Sequence, residues 1–242
     1  EIPIMRQLCL FLFLGVYWAT PLFALKPIQP IYHGDRNRPH VALTFDDGPN
    51  PHYTYRILSM LSTYQVKSTF FVVGQSTKNF PSVIDAIIRD GHELANHTFT
   101  HPRLDTLSED GVSLEISSMQ SLLHRISPHT TFYFRPPGGR YNQIVLNVLQ
   151  RQNISMVLWD VNAGDYHMQK PDALVSPYPY AHNTYQKSAE SMVRHIVKKT
   201  QNGSIILLHN TDGETIRAIP MIIQQLRQKG FSFVTLNQLL EG

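Results

Sequence analysis

Two histidines and two aspartates stand at short spacings in this sequence, and both residue types bind metal ions or transfer protons. His97 and His101 are four residues apart in His-Thr-Phe-Thr-His. In a helical turn this spacing places both imidazoles on one face, where they can hold one metal ion. Two surface histidines near a helix end are the structural alternative. Asp46 and Asp47 are adjacent in Thr-Phe-Asp-Asp-Gly-Pro, and an isolated Asp-Gly pair predicts a turn or a helix cap.

The elements that must position these residues follow from an alternation of apolar runs and helical patterns that starts near residue 40. We predict strands at 41–45, 69–73, 93–96, 131–134, 155–159, 204–208 and 231–234. Helical spacing lies between them at 53–64, 81–89, 108–126, 142–151, 187–200 and 215–229. This alternation predicts an α/β fold with about seven parallel strands, closed or nearly closed into a barrel. An open doubly wound sheet is the alternative, but no glycine-rich nucleotide-binding motif follows the first strand.

Seven polar residues fall at the carboxyl ends of these strands, where parallel barrels gather their active sites. They are Asp46, Asp47, His97, His101, Arg135, Asp165 and His209. Two histidines and one aspartate would leave ligand positions open for water and substrate, which is typical of a catalytic metal site rather than a structural one. Zinc fits these ligands, and Co²⁺ or Ni²⁺ can bind the same groups. Asp160 follows Trp159 and is interpreted as a hydrogen-bond partner at a strand end.

Composition limits the class of protein. The chain has 242 residues, 42% of them hydrophobic, which is enough for one sizeable core. Its net charge is +3 and no dense run of Lys and Arg occurs, so no nucleic-acid partner is indicated. Cys9 is the only cysteine, so the sequence cannot form an internal disulfide, and a metal site must use His, Asp and Glu.

The N-terminal sequence predicts export. Residues 8–19 are apolar and follow Arg6, as in a secretory signal peptide. We therefore predict a signal peptide or an uncleaved N-terminal anchor over residues 1–24. A linker over 25–37 would lead into one catalytic domain over 38–242. The expected location is periplasmic, cell-surface or secreted.

Five segments, in order, resemble the motifs of the polysaccharide deacetylases, carbohydrate esterase family 4. They are Thr-Phe-Asp-Asp-Gly-Pro at 44–49, His-Thr-Phe-Thr-His at 97–101, Phe-Arg-Pro-Pro-Gly-Gly-Arg-Tyr at 134–141, residues 159–165, and Leu-Leu-His at 207–209. The resemblance covers about residues 38–240. It implies a distorted (β/α) barrel and a metal-dependent hydrolase that removes N-acetyl groups from N-acetylglucosamine residues. The family includes chitin, chitooligosaccharide and peptidoglycan deacetylases.

The resemblance also implies roles for the residues of the first three motifs. Asp47, His97 and His101 would bind the metal ion. Asp46 would be the general base and would take a proton from a water molecule whose pKa the ion lowers. Arg135 would pair with Asp46, which keeps that carboxylate ionised and oriented.

The acid and the substrate contacts would come from the later motifs. His209 would protonate the leaving amine as general acid, and Asp165 would hold its ring. The backbone N–H of Gly138 would help to stabilise the oxyanion. Gly138 stands where the family usually has an aromatic residue, and Tyr166, which would stack on a sugar, stands where tryptophan is common. Leu207 would line the pocket for the acetyl methyl group or be simply a buried strand leucine.

Two other functions fit parts of the pattern. One is hydrolysis of another amide or ester on a sugar, such as a formyl or O-acetyl group. The other is a carbohydrate-binding relative that has lost catalysis, which the presence of a base, an acid and three predicted metal ligands disfavours. The expected partner is an N-acetylated glycan. No protein partner is indicated, and we expect a monomer. The Tyr- and Pro-rich segment 166–186 is expected to border the site.

Overall fold

The computed structural model describes residues 28–127, 131–165, 187–210 and 213–241. The predicted signal peptide or anchor, Tyr166 and the segment 166–186 lie outside the described residues. Within the described ranges, no helix combines the length and the apolarity that a membrane crossing requires.

The described residues form eight strands and eight α-helices that largely alternate. The strands are β1 His40–Gly48, β2 Thr69–Val72, β3 Glu93–Asn96, β4 Tyr133–Phe134, β5 Ser155–Met156, β6 Val161–Asn162, β7 Ile205–His209 and β8 Ser232–Phe233. The helices are α1 Pro51–Thr63, α2 Gly74–Asn79, α3 Pro81–Arg89, α4 Glu109–Ile126, α5 Gln143–Gln152, α6 Ala189–Lys199, α7 Gly213–Gln228 and α8 Leu236–Glu241. Short 3₁₀ turns cover Leu104–Thr106 and Pro137–Gly139.

The sheet is parallel and has β1 near its centre. Its order is β5-β4-β3-β2-β1-β7-β6, and β8 pairs with the first residues of β1. All seven predicted strands are present, and the sheet curls into a distorted barrel, so the predicted fold class is confirmed. The short strand β6 was not predicted. Ile31 bridges to Val157 and His33 bridges to Ser204, so the segment before β1 contacts the sheet next to β5 and next to β7.

Burial on both faces of the sheet explains why the strands are continuous apolar runs. Val41, Leu43 and Phe45 of β1 pack in the larger core cluster, which includes residues of the surrounding helices. Ala42 points the other way, into a smaller cluster that includes Ile205 of β7. Both clusters hold β1 rigidly, and its last residues therefore have a fixed position at the carboxyl edge of the sheet.

A helix cap fixes the chain directly after β1. The side chain of Asn50 accepts a hydrogen bond from the backbone N–H of His52, and Pro51 begins α1. The hydroxyl of Thr54 also accepts the N–H of Asn50, at 2.9 Å. The end of β1, where the two adjacent aspartates lie, is therefore followed at once by a capped helix.

Candidate active site

The two adjacent aspartates reach one pocket because the backbone changes conformation at the second of them. Successive residues of a regular strand point to opposite faces. Asp47 has φ 70°, and the pairing of β1 with β2 shifts register between Phe45 and Gly48. As a result His97 Nε2 lies 3.8 Å from Asp46 Oδ2 and 3.3 Å from Asp47 Oδ1. The change of direction thus begins at Asp47, the first residue of the Asp-Gly pair that predicted a turn.

The two histidines also converge, but a helical turn is not the reason. Residues 97–101 are neither helix nor strand, so the helical interpretation of the His-x-x-x-His spacing was wrong. Thr98 has φ 69° and His101 has φ 64°, so the chain passes twice through the left-handed region. These two residues fold the segment back on itself, and the imidazole rings of His97 and His101 lie 5.0 Å apart between centroids.

The predicted metal ligands form one compact donor set. Nε2 of His97 and Nε2 of His101 lie 3.3 and 3.0 Å from Asp47 Oδ1, and all three donor atoms are within 4.8 Å of one another. Ligand atoms at about 2.1 Å from one tetrahedral zinc ion are about 3.4 Å apart. Nδ1 of His97 lies 2.8 Å from the carbonyl oxygen of Arg135, which can only accept, so Nδ1 donates its N–H there and Nε2 is the nitrogen left to face a metal ion. The residues present therefore fit a divalent metal ion.

The electrostatics of this donor set also favour a cation. Burial would raise the pKa of Asp47, but its hydrogen bonds with His101 and His97 outweigh burial and hold the pKa far below the usual range. Burial would lower the pKa of His97, yet the charges of Asp46 and Asp47 raise it. Two carboxylates therefore place a negative potential at a buried point lined by imidazole nitrogens.

Asp46 is held by an arginine with no solvent exposure. The Arg135 NH1 group donates to Asp46 Oδ1 at 2.7 Å and to Thr44 Oγ1 at 2.9 Å. The other guanidinium nitrogens donate to the backbone carbonyls of Val157 and Leu158, at 3.1 and 2.9 Å. A guanidinium fixed in this way occupies Oδ1 of Asp46 and leaves Oδ2 for another partner.

His209 and Asp165 form a second buried pair at the same carboxyl edge of the sheet, here called the rim. His209 Nδ1 lies 2.8 Å from Asp165 Oδ1, and Asp165 Oδ2 accepts the backbone N–H of His209 and the hydroxyl of Thr215, at 2.8 and 2.7 Å. Burial would lower the pKa of His209, but Asp165 outweighs it and the pKa rises to about 9. The ring is thus held protonated at neutral pH. His209 is the direct strand neighbour of Asp46, which puts the second pair beside the first.

Of the three predicted substrate contacts, the structure describes Gly138 and Leu207. Gly138 lies in the 3₁₀ turn after β4 with φ 62°, and a Cβ there would have no neighbour closer than Arg140 Nε at 3.9 Å. The position that usually holds an aromatic residue in the family is therefore open. Leu207 is buried in β7, two residues from His209 and on the same side of the strand. Tyr166 lies outside the described residues, and the roles of all three residues stay predictions.

Asp160 has the structural role that was expected of it. Its Oδ2 accepts from Arg36 and from the hydroxyl of Ser204, each at 2.9 Å, and its Oδ1 accepts the N–H of Ile205 at 2.8 Å. These bonds tie β7 to the segment before β1. Of Asp160 and Asp165, it is therefore Asp165 that pairs with the ring of His209.

Residues that support the site were missed by the sequence interpretation. Thr44 accepts a hydrogen bond from Arg135, and Thr215 donates one to Asp165. Glu115 of α4 accepts backbone N–H groups of the segment between the two histidines. Each lies on a strand or helix as an ordinary polar residue, and no motif distinguishes it.

The polysaccharide deacetylase family matches residues 33–157 of this chain. The chain belongs to the polysaccharide deacetylase family. A peptidoglycan-N-acetylglucosamine deacetylase of Bacillus cereus is 31% identical over 226 residues, which cover 92% of this chain and 76% of the relative. A chitooligosaccharide deacetylase of Sinorhizobium fredii is 31% identical, over 88% of this chain and 98% of the relative. These matches confirm the resemblance seen in the five motifs, and they confirm that the enzyme class is polysaccharide deacetylase.

Solved structures of polysaccharide deacetylases have the same fold. The crystal structure of a peptidoglycan N-acetylglucosamine deacetylase superimposes with a TM-score of 0.76 at 32% identity, over 87% of this chain and 92% of that one. A carbohydrate esterase family 4 pseudoenzyme from Bacillus anthracis also superimposes with a TM-score of 0.76, at 25% identity, over 89% of this chain and 69% of that one. The family thus contains a pseudoenzyme as well as active deacetylases, so catalysis depends on the residues of this site.

Proposed function

We propose that this polysaccharide deacetylase is a metal-dependent hydrolase that removes N-acetyl groups from N-acetylglucosamine residues of a cell-wall or chitin-type polysaccharide and releases acetate. The observation that carries the proposal is the arrangement of the rim. A three-residue donor set, an arginine-held carboxylate and an aspartate-held imidazolium lie together at the carboxyl ends of parallel strands. The names of the relatives support this substrate class, since they include peptidoglycan and chitooligosaccharide deacetylases.

Asp46 is suited to take a proton at the start of the reaction. When bound, a divalent ion lowers the pKa of water and polarises the acetyl carbonyl. Asp47, His97 and His101 would hold that ion. Because Arg135 occupies Oδ1 of Asp46, the proton of the attacking water goes to Oδ2, which faces His97. The water oxygen forms a new bond to the carbonyl carbon.

His209 is suited to complete the reaction. An amide nitrogen leaves poorly unless it is protonated, and the imidazolium of His209 has a proton to give at neutral pH. When the C–N bond breaks, the proton on Nε2 passes to the nitrogen of the sugar, because Nδ1 is bound to Asp165. Acetate and a free amine result. A base and an acid on one rim therefore balance the proton transfers of amide hydrolysis.

Three further points belong to the proposal. We propose Zn²⁺ as the ion, with Co²⁺ or Ni²⁺ as alternatives, since two imidazoles and one carboxylate suit all three. We propose that the protein is exported, on the strength of the apolar N-terminal run at 8–19. We also propose that it acts as a monomer.

Acetate release separates this function from its alternatives. The protein is incubated with fully acetylated chitooligosaccharide, with purified peptidoglycan and with an O-acetylated xylan, before and after chelator treatment and with Zn²⁺, Co²⁺ or Ni²⁺ restored. We expect release from an N-acetylated substrate, loss with chelator, and recovery with metal. Release from the O-acetylated polymer alone would favour the esterase alternative. Activity that chelator leaves unchanged would refute the metal-dependent mechanism.

Two variants separate the roles of base and ligand. Asp46→Asn should abolish turnover and leave the metal stoichiometry near that of the wild type. His101→Ala should lose the metal itself, and it is preferred to His97→Ala because its side chain is partly exposed, with less risk to folding. His52→Ala, which changes an exposed histidine at the start of α1, is the matched control and should retain both metal and activity. An empty metal site in Asp46→Asn would contradict the division of roles between the aspartates.

A further inference from the structure

The segment from His97 to His101, here called the ligand loop, needs external support. It leaves β3, contains two non-glycine residues with φ near 65–70°, and carries both histidines of the donor set. Left-handed non-glycine residues each cost on the order of 1–3 kcal/mol and persist only where the surroundings hold them. Thr100 of this loop is solvent-exposed, so core packing is not what holds its outer part.

The carbonyl side of the ligand loop is held by α2. The backbone N–H groups of Gly74 and Gln75, at the start of that helix, donate to the carbonyls of Thr98 and Phe99, at 3.1 and 2.8 Å. Gly74 also makes room for the loop, because a Cβ at this position would lie 2.4 Å from the ring of Phe99. These contacts fix one side of the loop and leave its outward N–H groups to another element.

Glu115 of α4 holds the N–H side. Its Oε2 accepts the backbone N–H of Phe99 at 2.9 Å and that of Thr100 at 2.8 Å. Its Oε1 accepts the hydroxyl of Thr100 at 2.6 Å. One carboxylate therefore satisfies three donors of the ligand loop with charge-assisted hydrogen bonds, which are stronger than neutral ones.

The same turn of α4 is tied to the residue before the ligand loop. The side-chain amide of Asn96 donates to the carbonyl of Ile116, at 3.0 Å, and to Gln120. The Asn96 amide oxygen in turn accepts the N–H of Thr98 at 2.9 Å. Glu115 is therefore anchored on a helix that is itself bonded to β3, and it is positioned as a rigid support and not as a mobile surface charge.

We propose that Glu115 is a positioning residue that presets His97 and His101 for metal binding without being a ligand. The inference rests on the proposed metal site. Both carboxylate oxygens of Glu115 accept hydrogen bonds from the ligand loop, and Glu115 is not one of the three residues whose donor atoms converge. Hydrogen bonds made to the metal ligands themselves typically contribute about 10–100-fold to metal affinity or activity, and for Glu115, which bonds the residues between the two ligands, we expect the lower end of that range. Glu115 sets the affinity for the ion by keeping both imidazoles in place before the ion arrives.

Metal affinity in three variants tests the proposal. The dissociation constant for Zn²⁺ is measured by competition with a chromogenic chelator. Glu115→Ala, which removes all three hydrogen bonds, should bind Zn²⁺ at least about 10-fold more weakly. Glu115→Gln can still accept the two backbone N–H groups and should stay within a few-fold of the wild type. Glu109→Ala removes an exposed carboxylate of the same helix, which pairs with Arg151, and should be unchanged.

Amide hydrogen exchange in chelator-treated protein tests the positioning without any metal. The N–H groups of Phe99 and Thr100 should exchange faster in Glu115→Ala and not in Glu115→Gln. Should Glu115→Ala fail to fold, Thr100→Val removes the hydroxyl contact alone and should weaken Zn²⁺ binding a few-fold. At saturating Zn²⁺ the value of kcat in Glu115→Ala should recover, which a disrupted barrel would not allow.

Each result bears on the proposal. Unchanged Zn²⁺ affinity or unchanged exchange in Glu115→Ala would overturn it. Equal weakening in Glu115→Gln and Glu115→Ala would also overturn it, because charge and not hydrogen bonding would then be responsible. A wild type that binds no Zn²⁺, Co²⁺ or Ni²⁺ would refute the proposed function and the role of Glu115 in metal affinity, while the exchange experiment would still decide whether Glu115 holds the loop.

Discussion

The buried pair of His209 and Asp165 gives a prediction that can be worked out quantitatively. Asp165→Asn keeps the size of the side chain and an oxygen that can accept from the backbone N–H of His209 or from Thr215. It removes the negative charge that outweighs burial and raises the pKa of His209 to about 9. With that charge gone, burial dominates, and the pKa of His209 should fall to or below its ordinary value of about 6.5.

The pKa of His209 fixes the sign and the size of the effect on stability. A group whose pKa is higher in the folded state stabilises the protein fully below the unfolded pKa and loses that contribution as pH rises through the folded pKa. A rise from 6.5 to about 9 corresponds to on the order of 3 kcal/mol, and the pair is buried, so solvent screens it little. The difference in unfolding free energy between wild type and Asp165→Asn should therefore be largest below pH 6.5 and should shrink towards pH 9.

Urea denaturation of chelator-treated protein at pH 6 and pH 9.5 measures this difference, and NMR titration of the His209 ring measures the pKa directly. Thr215→Val is the matched control. It removes one hydrogen bond to Asp165 and leaves the charge, so its loss of stability should depend much less on pH. In the enzyme assay, the alkaline limb of kcat/KM should move to lower pH in Asp165→Asn. A stability difference that grows with pH, or a His209 pKa that does not fall, would refute this account of the pair.

Three further predictions concern contacts made by Arg135, Gly139 and Asp160. Arg135→Met should lower the unfolding free energy by about 3–5 kcal/mol in urea denaturation, because Asp46 stays buried without its partner, and a loss below 1 kcal/mol would contradict this. Gly139→Ala should cost about 1–3 kcal/mol by thermal unfolding, since φ is 68° and the new Cβ would lie 2.8 Å from the Trp159 ring; an unchanged Tm would count against it. Asp160→Ala loses three hydrogen-bond partners and should cost about 1–3 kcal/mol with kcat retained, whereas a selective fall in kcat would show a catalytic role.

Much of the fold follows from the sequence because its strands are covered on both faces. Burial on both sides requires continuous apolar runs, and these identified seven of the eight strands, with 93–96 and 81–89 matching β3 and α3 residue for residue. Strand β6 has only two residues, one of them exposed, so it has no run to detect. Helices α2 and α8 have six residues each, too few for a helical period to show.

The rim of the site was predictable for a related reason. Parallel strands end at one edge, so polar residues that follow separate strands are brought together whatever lies between them. For this reason Arg135 and His209 could be placed beside Asp46 without any knowledge of their distances. Glu115 could not be placed in this way, because it acts from the middle of a helix on backbone N–H groups, and a sequence does not distinguish such groups.

The helical interpretation of residues 97–101 failed because residue types did not determine the backbone conformation there. Five non-glycine residues in the described part of the chain have positive φ, and Asp47, Thr98 and His101 belong to the donor set or to the loop that carries it. Thr98 and His101 are not glycines, so their residue types do not predict that the backbone turns there. Strain of this kind, on the order of 1–3 kcal/mol per residue, concentrates where a fold positions functional groups. The donor atoms converge because the backbone departs from regular geometry at these residues, and neighbouring elements must hold that departure in place.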